Sequence, residues 1–337
     1  QHEYVAGVDF ELSRNWRVET RYSRKRLDRT IEDMAITDNL GFYIGNPGAR
    51  IGDVLHRPTV IPGDDGNDYL NNTPFCAECP KTIPAVRRYD AAEFSLAKRA
   101  TGKWFGKLTY TYSKLAGNYP GLTNSDPTDG GVAGRLAPNN SRLFDIPTMT
   151  YLPSGKVDDG PLSTDRPNTG KAFGFYRQKW LAGTTLLGVT QSAFQGTPLN
   201  SCLPVVAASS ACQWAEGRGN FARLTRAANG DIVKGEVVNN ARSSPFVQTD
   251  LSIHHEIPVH EGMRMELEGN IINVFNHRAM LGVREYVVPT SFVNPTRASR
   301  FSGDPQVDFG KVMNGYNYID ALNGAGAFGN GVQPKLT

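Results

Sequence analysis

The most constraining feature of this sequence is a period of two between apolar and polar residues. From Met263 to Phe275 the odd positions are largely apolar, whereas the even positions from Arg264 to Asn270 are charged or amide-bearing. Successive side chains of a β-strand point to opposite faces, whereas a helix repeats about every 3.6 residues. The segment therefore predicts a strand with one apolar and one charged face.

The same alternation recurs in pairs of segments that predict four β-hairpins. Turn-like residues separate the two members of each pair at 13–15, 100–103, 178–183 and 257–262. The third pair has the weakest pattern, and Phe173 and Phe175 are its best markers. The predicted polar faces carry a set of charged candidates for lining a lumen and contacting a solute: Arg17, Glu19, Arg21, Asp250, Arg264, Glu266 and Glu268.

The connections between the hairpins are as informative as the strands. Long segments without a sustained period are predicted loops, at about 38–87, 117–166, 195–244 and 277–300. Every short turn then falls at one end of the strands and every long loop at the other. Short periplasmic turns and long extracellular loops are typical of outer-membrane barrels. The predicted fold is therefore all-β, an antiparallel transmembrane β-barrel segment of about eight or nine strands.

Composition and hydropathy limit the classes of partner and of fold that the chain can have. The 36 basic and 33 acidic residues give a net charge of +3, which is too small an excess to predict a nucleic-acid partner. No stretch of about 18 consecutive apolar residues occurs, which excludes a transmembrane helix on length. A soluble sheet with one solvated face shares the alternation, and the asymmetry of the loops is what argues against it.

The four cysteines form two close pairs, Cys76 with Cys79 and Cys202 with Cys212. A zinc or redox site at the first pair lacks a second ligand pair, so local disulfides in an oxidising compartment are the better interpretation. The acidic segment 62–69 offers oxygen ligands for calcium but lacks the closing glutamate of a calcium loop. His254 and His255, adjacent on one strand, face opposite ways and cannot share a metal. The sequence thus predicts no metal and no other cofactor.

Catalytic motifs are not evident. The sequence contains no Gly-x-Ser-x-Gly elbow, His-Glu-x-x-His pair or phosphate-binding Gly-x-x-x-x-Gly-Lys-Ser/Thr loop. Glu266 and Glu268 share a strand face and suggest an acid/base pair, but hydration or a salt bridge to Arg264 or to a neighbouring strand is the simpler explanation. The chain is therefore predicted not to be an enzyme.

Several segments resemble TonB-dependent receptors of the Oar-like type. The matching stretches are residues 1–9, 88–96, 110–119, 140–147, 162–167, 196–198, 248–250 and 273–276. The resemblance implies that residues 1–337 are part of a plugged barrel of about 22 strands in the bacterial outer membrane. It also implies uptake of a scarce or bulky solute, with energy delivered by TonB through an N-terminal region, plug included, that lies outside this chain along with the final strand. Lipid is then the chain's direct partner.

Residues in the predicted loops complete the set of candidates. Tyr119, Trp214 and Arg218 are predicted solute contacts, because aromatic and cationic side chains are suited to stacking and to binding anions. A second hypothesis is an outer-membrane structural or adhesive protein whose loops bind partners. Two further alternatives are a small complete barrel of eight strands and a soluble β-sandwich enzyme or lectin.

Overall fold

The structure is a computed structural model that describes most of the strands and parts of their connections. The residues described are 1–34, 43–49, 60–62, 68–70, 82–121, 144, 150–152, 156–204, 212–214, 216–226 and 232–280. Within these residues the fold is all-β and antiparallel. No helix in this part of the chain is long and apolar enough to cross a membrane.

Eight long strands form one meandering sheet, in which each strand pairs antiparallel with the next long strand along the chain. They are β1 (His2–Ser13), β2 (Trp16–Leu27), β7 (Arg87–Thr101), β8 (Trp104–Gly117), β10 (Asn168–Trp180), β11 (Gly183–Phe194), β16 (Phe246–His260) and β17 (Met263–Ile271). All four predicted hairpins are confirmed. In the described residues β1 and β17 end the sheet without pairing with each other, which contradicts a small barrel closed by these eight strands.

Short strands accompany the sheet within the connections. A two-residue strand, β9 (Gly160–Pro161), pairs with the end of β8, and the others form two-stranded ribbons. The ribbons are β3 (Glu32–Met34) with β4 (Tyr43–Gly45), β5 (Val60–Pro62) with β6 (Asp68–Leu70), β12 (Cys202–Pro204) with β13 (Cys212–Trp214), and β14 (Phe221–Arg226) with β15 (Ile232–Val238). The connections are thus partly ordered by β-structure of their own.

The turns at one edge of the sheet are all two residues long, at 14–15, 102–103, 181–182 and 261–262. Gly102 and Gly262 have φ of 71° and 78°, a left-handed conformation that glycine adopts without steric cost. Leu181 and Ala182 adopt positive φ as well, as a tight hairpin turn requires. Residues 28–86, 118–167 and 195–245 connect the strands at the opposite edge.

Continuous register gives the sheet one apolar face, because directly opposite residues of neighbouring strands share a face. The apolar face holds Val8, Phe10, Val18, Phe94, Leu96, Leu108, Ala172, Leu187, Val189, Leu251, Ile253, Met265 and Leu267. Phe173 and Phe175, the sequence markers of the third hairpin, lie instead on the polar face with Phe105. Their rings pack on Phe105, with centroids 5.6 and 5.4 Å apart.

The largest fully buried side chains belong to the connections and not to the sheet. Among the described residues they are Trp214, Phe144, Leu162 and Asn118. Hydrogen bonds and ion pairs join the connections that contain these residues into a body at the loop edge of the sheet, which we call the loop cap. The described residues of the loop cap are 82–86, 118–121, 144, 150–152, 156–167, 195–201, 214, 216–220 and 239–245.

Candidate functional site

The polar face of the sheet is the first surface that can meet a solute. Register places all seven predicted candidates from the strands on this face. Arg17 donates from Nε to Asp9 Oδ1 at 2.7 Å, and Arg21 donates from Nη2 to Glu93 Oε1 at 2.9 Å. These exposed pairs contribute little to the stability of the sheet, since water screens them. Their combined effect is a hydrated, charge-balanced surface.

Several of the predicted candidates take part in contacts that the sequence does not reveal. Asp250 accepts the backbone N–H of Asn273 at 2.8 Å and the Gln248 amide at 2.9 Å, so it holds the chain where β17 ends. Arg264 pairs with Glu256 on the neighbouring strand at 2.7 Å. Among the described residues it forms no salt bridge with Glu266 or Glu268, so hydration or a partner on another strand remains the expectation for these two carboxylates. The side-chain amide of Asn270 donates to Glu268 at 3.1 Å.

Cross-strand pairing also assembles a group that the sequence analysis missed. His254, Glu256 and Glu266 each present one ligand atom, and these atoms lie within 4.8 Å of one another. His254 lies opposite Glu268 on the polar face and His255 points to the apolar face, as predicted. Because Glu256 and Glu266 belong to different strands, their proximity follows from register and not from sequence spacing. A histidine and two carboxylates are suitable ligands for a divalent metal ion.

The loop cap offers the second surface that can meet a solute. A buried ion pair lies in its interior. Arg218 donates from Nε to Asp158 Oδ2 at 2.9 Å, and both side chains are only 1% exposed. A second nitrogen of Arg218 donates to the Asn118 carbonyl at 3.1 Å, and its guanidinium lies 5.3 Å from the Trp214 ring centroid. The pair therefore joins two connections, because Arg218 belongs to residues 195–245 and its partners Asp158 and Asn118 belong to residues 118–167.

Burial gives Asp158 unusual electrostatics. Loss of water raises the pKa of this carboxyl to about 6, although Arg218 partly opposes the shift by favouring the charged form. The second oxygen, Oδ1, is buried and has no hydrogen-bond partner among the described residues. Asp159, the next residue, is 43% exposed and binds Arg88 at 2.5 Å. Two adjacent aspartates thus differ completely in their surroundings.

A further ion pair supports the loop cap. Asp165 accepts Arg242 at 2.6 Å and the backbone N–H of Leu115 at 2.7 Å. Arg242 also donates to the Gly196 carbonyl at 3.0 Å. Asp165 lies in the matching stretch 162–167, whereas Asp158 and Arg242 belong to no motif or matching stretch of the sequence. Their importance arises from contacts between distant connections, which no local pattern reveals.

The structure corrects the expectation that Tyr119, Trp214 and Arg218 are accessible solute contacts. Their exposures are 2%, 1% and 5%, so each lies inside the loop cap. Burial raises the pKa of the Tyr119 phenol, whose oxygen accepts a hydrogen bond from Thr30 Oγ1 at 3.1 Å. These aromatic and cationic groups stabilise the packing of the connections, because there is little water-accessible surface on them for a solute to contact.

The candidate disulfides are only partly within the described structure. Cys76, Cys79 and residues 63–67 of the acidic segment lie outside the described residues. Cys202 and Cys212 lie on the paired strands β12 and β13, with Cys202 opposite Trp214 and Cys212 opposite Pro204. The backbone thus brings these two positions onto neighbouring strands. A disulfide between them stays a prediction.

Comparison with known proteins gives one informative similarity. The TonB-dependent transporter Oar of Myxococcus xanthus is 28% identical to this chain over 201 residues, which is 59% of this chain and 15% of that relative. No family model and no solved structure matches the chain. The similarity agrees with the prediction that the chain is not an enzyme, because the relative is a transporter. It relates the chain, at the level of a distant partial match, to the TonB-dependent receptors.

Proposed function

We propose that this chain is a stretch of the transmembrane β-barrel of an outer-membrane TonB-dependent receptor that takes up a scarce or bulky solute. The observation that carries the proposal is the predominantly apolar face that extends across the eight-stranded sheet, with short turns at one edge and long connections at the other. The distant similarity to a transporter of this class supports the same assignment.

The exposure of the apolar face favours lipid as its surroundings. Val8 is 62% exposed, Leu187 48% and Leu267 55%, although all three lie well inside their strands. An apolar surface that extends over eight strands is rare on a soluble protein, since its contact with water has a large unfavourable free energy. In the described residues no second layer packs on this face, which argues against a β-sandwich. In a bilayer, lipid chains would cover the apolar side chains of this face. The backbone N–H and C=O groups would stay hydrogen-bonded between the strands of the sheet.

The borders of the apolar face fit a bilayer as well. Near the short turns, Trp16 and Trp104 pack edge to face with centroids 5.8 Å apart. Near the loops, Tyr22 and Tyr112 occupy the corresponding position. Residues 104 to 112 of β8 span about 26 Å of strand, which a tilt of about 40° reduces to a height of about 20 Å, within the apolar band of about 25 Å of a transmembrane barrel. Aromatic residues prefer both interfaces of a membrane because their rings are amphipathic.

Localisation and orientation are directly testable in the full-length protein. We expect it in the outer-membrane fraction, with an epitope inserted between residues 207 and 208 labelled by antibody on intact cells. The same epitope between Gly102 and Lys103 should be labelled only after the outer membrane is permeabilised. Recovery of the protein in the soluble fraction, or the reverse labelling pattern, would contradict the proposal.

The packed loop cap favours a second candidate function, an outer-membrane anchor whose connections bind a partner. Buried ion pairs give the cap a defined shape, as a recognition surface requires. The two functions differ in their need for energy. Deleting TonB should abolish solute accumulation by an importer, whereas binding of cells or partners by an adhesive protein should be unchanged.

A further inference from the structure

The loop-side border of the apolar face carries an unusual set of charges. Register aligns Arg24, Asp90 and Lys114 side by side on β2, β7 and β8. Asp90 accepts Arg26 at 2.6 Å and the Tyr22 hydroxyl at 2.9 Å, so its charge is already matched. These residues continue the apolar face towards the loops, where the outward surface changes from aromatic to charged.

Two cations at this border have no direct ion-pair contact among the described residues, although the charge of Arg24 is felt by the neighbouring Asp90. Among the residues that the structure describes, the exposed Arg24 and Lys114 form no ion pair, whereas Arg88 is bound to Asp159. Each lies one strand away from Asp90, which places their backbones about 10 Å apart at the usual strand spacing. Side chains of this length can converge on one anionic group between them.

An apolar groove lies on the same face directly next to these cations. The cavity has a volume of about 490 Å³ and exists because small side chains are surrounded by aromatic ones. Ala6, Thr20 and Ala92 form its floor, and Tyr22, Phe94, Tyr110 and Tyr112 form its walls. Tyr22 and Tyr112 stand two residues from Arg24 and Lys114 on the same strands, so the groove leads from the cations into the apolar belt.

We propose that this border binds one phosphorylated, acylated lipid, with the phosphate between Arg24 and Lys114 and an acyl chain in the groove. The proposal rests on the proposed function, since it needs the apolar face to lie in a membrane. Arginine and lysine form strong charge-assisted hydrogen bonds to phosphate oxygens, and an amphiphile matches a groove that is apolar along its length and cationic at one end. A lipid headgroup and free inorganic phosphate could both bind Arg24 and Lys114, whereas only the lipid has an acyl chain that occupies the groove.

A second groove on the apolar face provides an internal contrast. This cavity of about 610 Å³ is lined by Trp16, Trp104, Leu108 and Leu187, nearer the short turns. The nearby cation Lys98 is buried and donates to the carbonyls of Thr101 and Trp104, both at 3.0 Å. Lys107 also lines this cavity, but its register opposite Phe173 places its side chain on the polar face. On the apolar face the second groove therefore has no free cation at its border among the described residues, and we assign the charged lipid to the first groove only.

Native mass spectrometry of the full-length protein in neutral detergent tests the site. The probes are dioleoyl phosphatidylglycerol, dioleoyl phosphatidylcholine with the same chains, and inorganic phosphate. The wild type should retain one phosphatidylglycerol in preference to phosphatidylcholine, and R24Q/K114Q should bind it about tenfold to thirtyfold more weakly. Ala92→Phe, which fills the groove and leaves the cations intact, should also weaken retention.

The matched control is K107Q/K171Q, which removes two lysines from the polar face of the same sheet and should leave retention unchanged. Equal losses in the two double variants, displacement of the lipid by millimolar inorganic phosphate, or unchanged retention in Ala92→Phe would each overturn the lipid site. If R24Q/K114Q fails to assemble, the single substitutions should each weaken binding about fivefold. If the protein is found in the outer membrane but does not retain phosphatidylglycerol selectively, only the lipid site is overturned. If the protein is not found in the outer membrane, the proposed function is overturned.

Discussion

The sheet and the loop cap have opposite relations between polarity and burial. In the sheet, large apolar side chains such as Val8 and Leu267 are exposed and ion pairs such as Arg21–Glu93 are half-exposed. In the loop cap, Trp214 and the ion pair Asp158–Arg218 are almost completely buried. The stability of the sheet therefore depends on an apolar medium around its exposed face, whereas the stability of the loop cap comes from packing and ion pairing in its own interior.

The largest expected effect is the loss of the buried charge pair. Asp158→Ala should destabilise the loop cap by about 3–5 kcal/mol, because it removes the carboxyl oxygen that accepts the hydrogen bond of the buried Arg218 guanidinium, an acceptor that the protonated carboxyl retains. The matched control is Asp159→Ala, which removes an exposed partner of Arg88 and should cost at most about 1 kcal/mol. Hydrogen exchange of residues 156–167 and 216–220 measures both changes. Equal losses of stability from the two substitutions would contradict the conclusion that the buried ion pair stabilises the cap more than an exposed pair does.

A charge placed on the apolar face should have the next largest effect. Val189→Arg should destabilise the membrane-inserted sheet by about 2–4 kcal/mol, since the guanidinium would face hydrocarbon. Thr190→Arg, one residue along β11, points to the polar face and should be tolerated. Urea titration of the protein in lipid vesicles gives both values. A larger loss for Thr190→Arg would mean that the two faces have been assigned the wrong way round.

The loop cap should also respond to pH through Asp158. Its pKa in the folded cap is about 6, above the ordinary value of 3.8. A raised folded-state pKa means that the cap holds the proton more tightly than the unfolded chain does. Stability therefore decreases as pH rises from about 4 to 6 and is then constant. We expect the cap to be about 1 kcal/mol more stable at pH 5 than at pH 7 by hydrogen exchange, and we expect Asp158→Asn to abolish this dependence.

The smallest expected effect concerns the ion pairs of the polar face. A double-mutant cycle on Arg21 and Glu93 should give a coupling of about 0.2–1 kcal/mol, because both side chains are accessible to water. Urea titration in vesicles measures it, and raising the salt concentration should reduce it. A coupling of several kcal/mol would show that the polar face is drier than its exposure indicates.

The elements predicted correctly from the sequence are those with local causes. The alternation in β1, β2 and β17 is a property of neighbouring residues, so the hairpins and the faces of Arg17 and Glu266 could be predicted. The predicted turns at 100–103 and 257–262 contain the observed two-residue turns but are too long, because β7 extends to Thr101 and β16 to His260. The third hairpin shows the limit of this reasoning. Phe173 and Phe175 alternate like an apolar face, but the register with β8 places them on the polar side, because Ala172 and Gly174 occupy the other face.

The candidate site was predicted less well than the fold. Trp214 and Arg218 were chosen for their chemistry, which is the same whether a side chain is accessible or buried. Asp158 and Arg218 are 60 residues apart, and Asn118 and Arg218 are 100 residues apart. Which of the adjacent Asp158 and Asp159 becomes buried depends on how these connections fold over one another, and a single local sequence does not contain that information.

By itself, the sequence determined the eight strands, the apolar or polar character of most faces and the asymmetry of the connections, because side-chain alternation and turn chemistry act within a few residues. Only the tertiary structure decided the continuous register that unites the faces, the grouping of His254 with Glu256 and Glu266, and the buried Asp158–Arg218 pair. The physical reason is that burial and ion pairing depend on distances in space, which chain connectivity constrains only weakly across connections of this length.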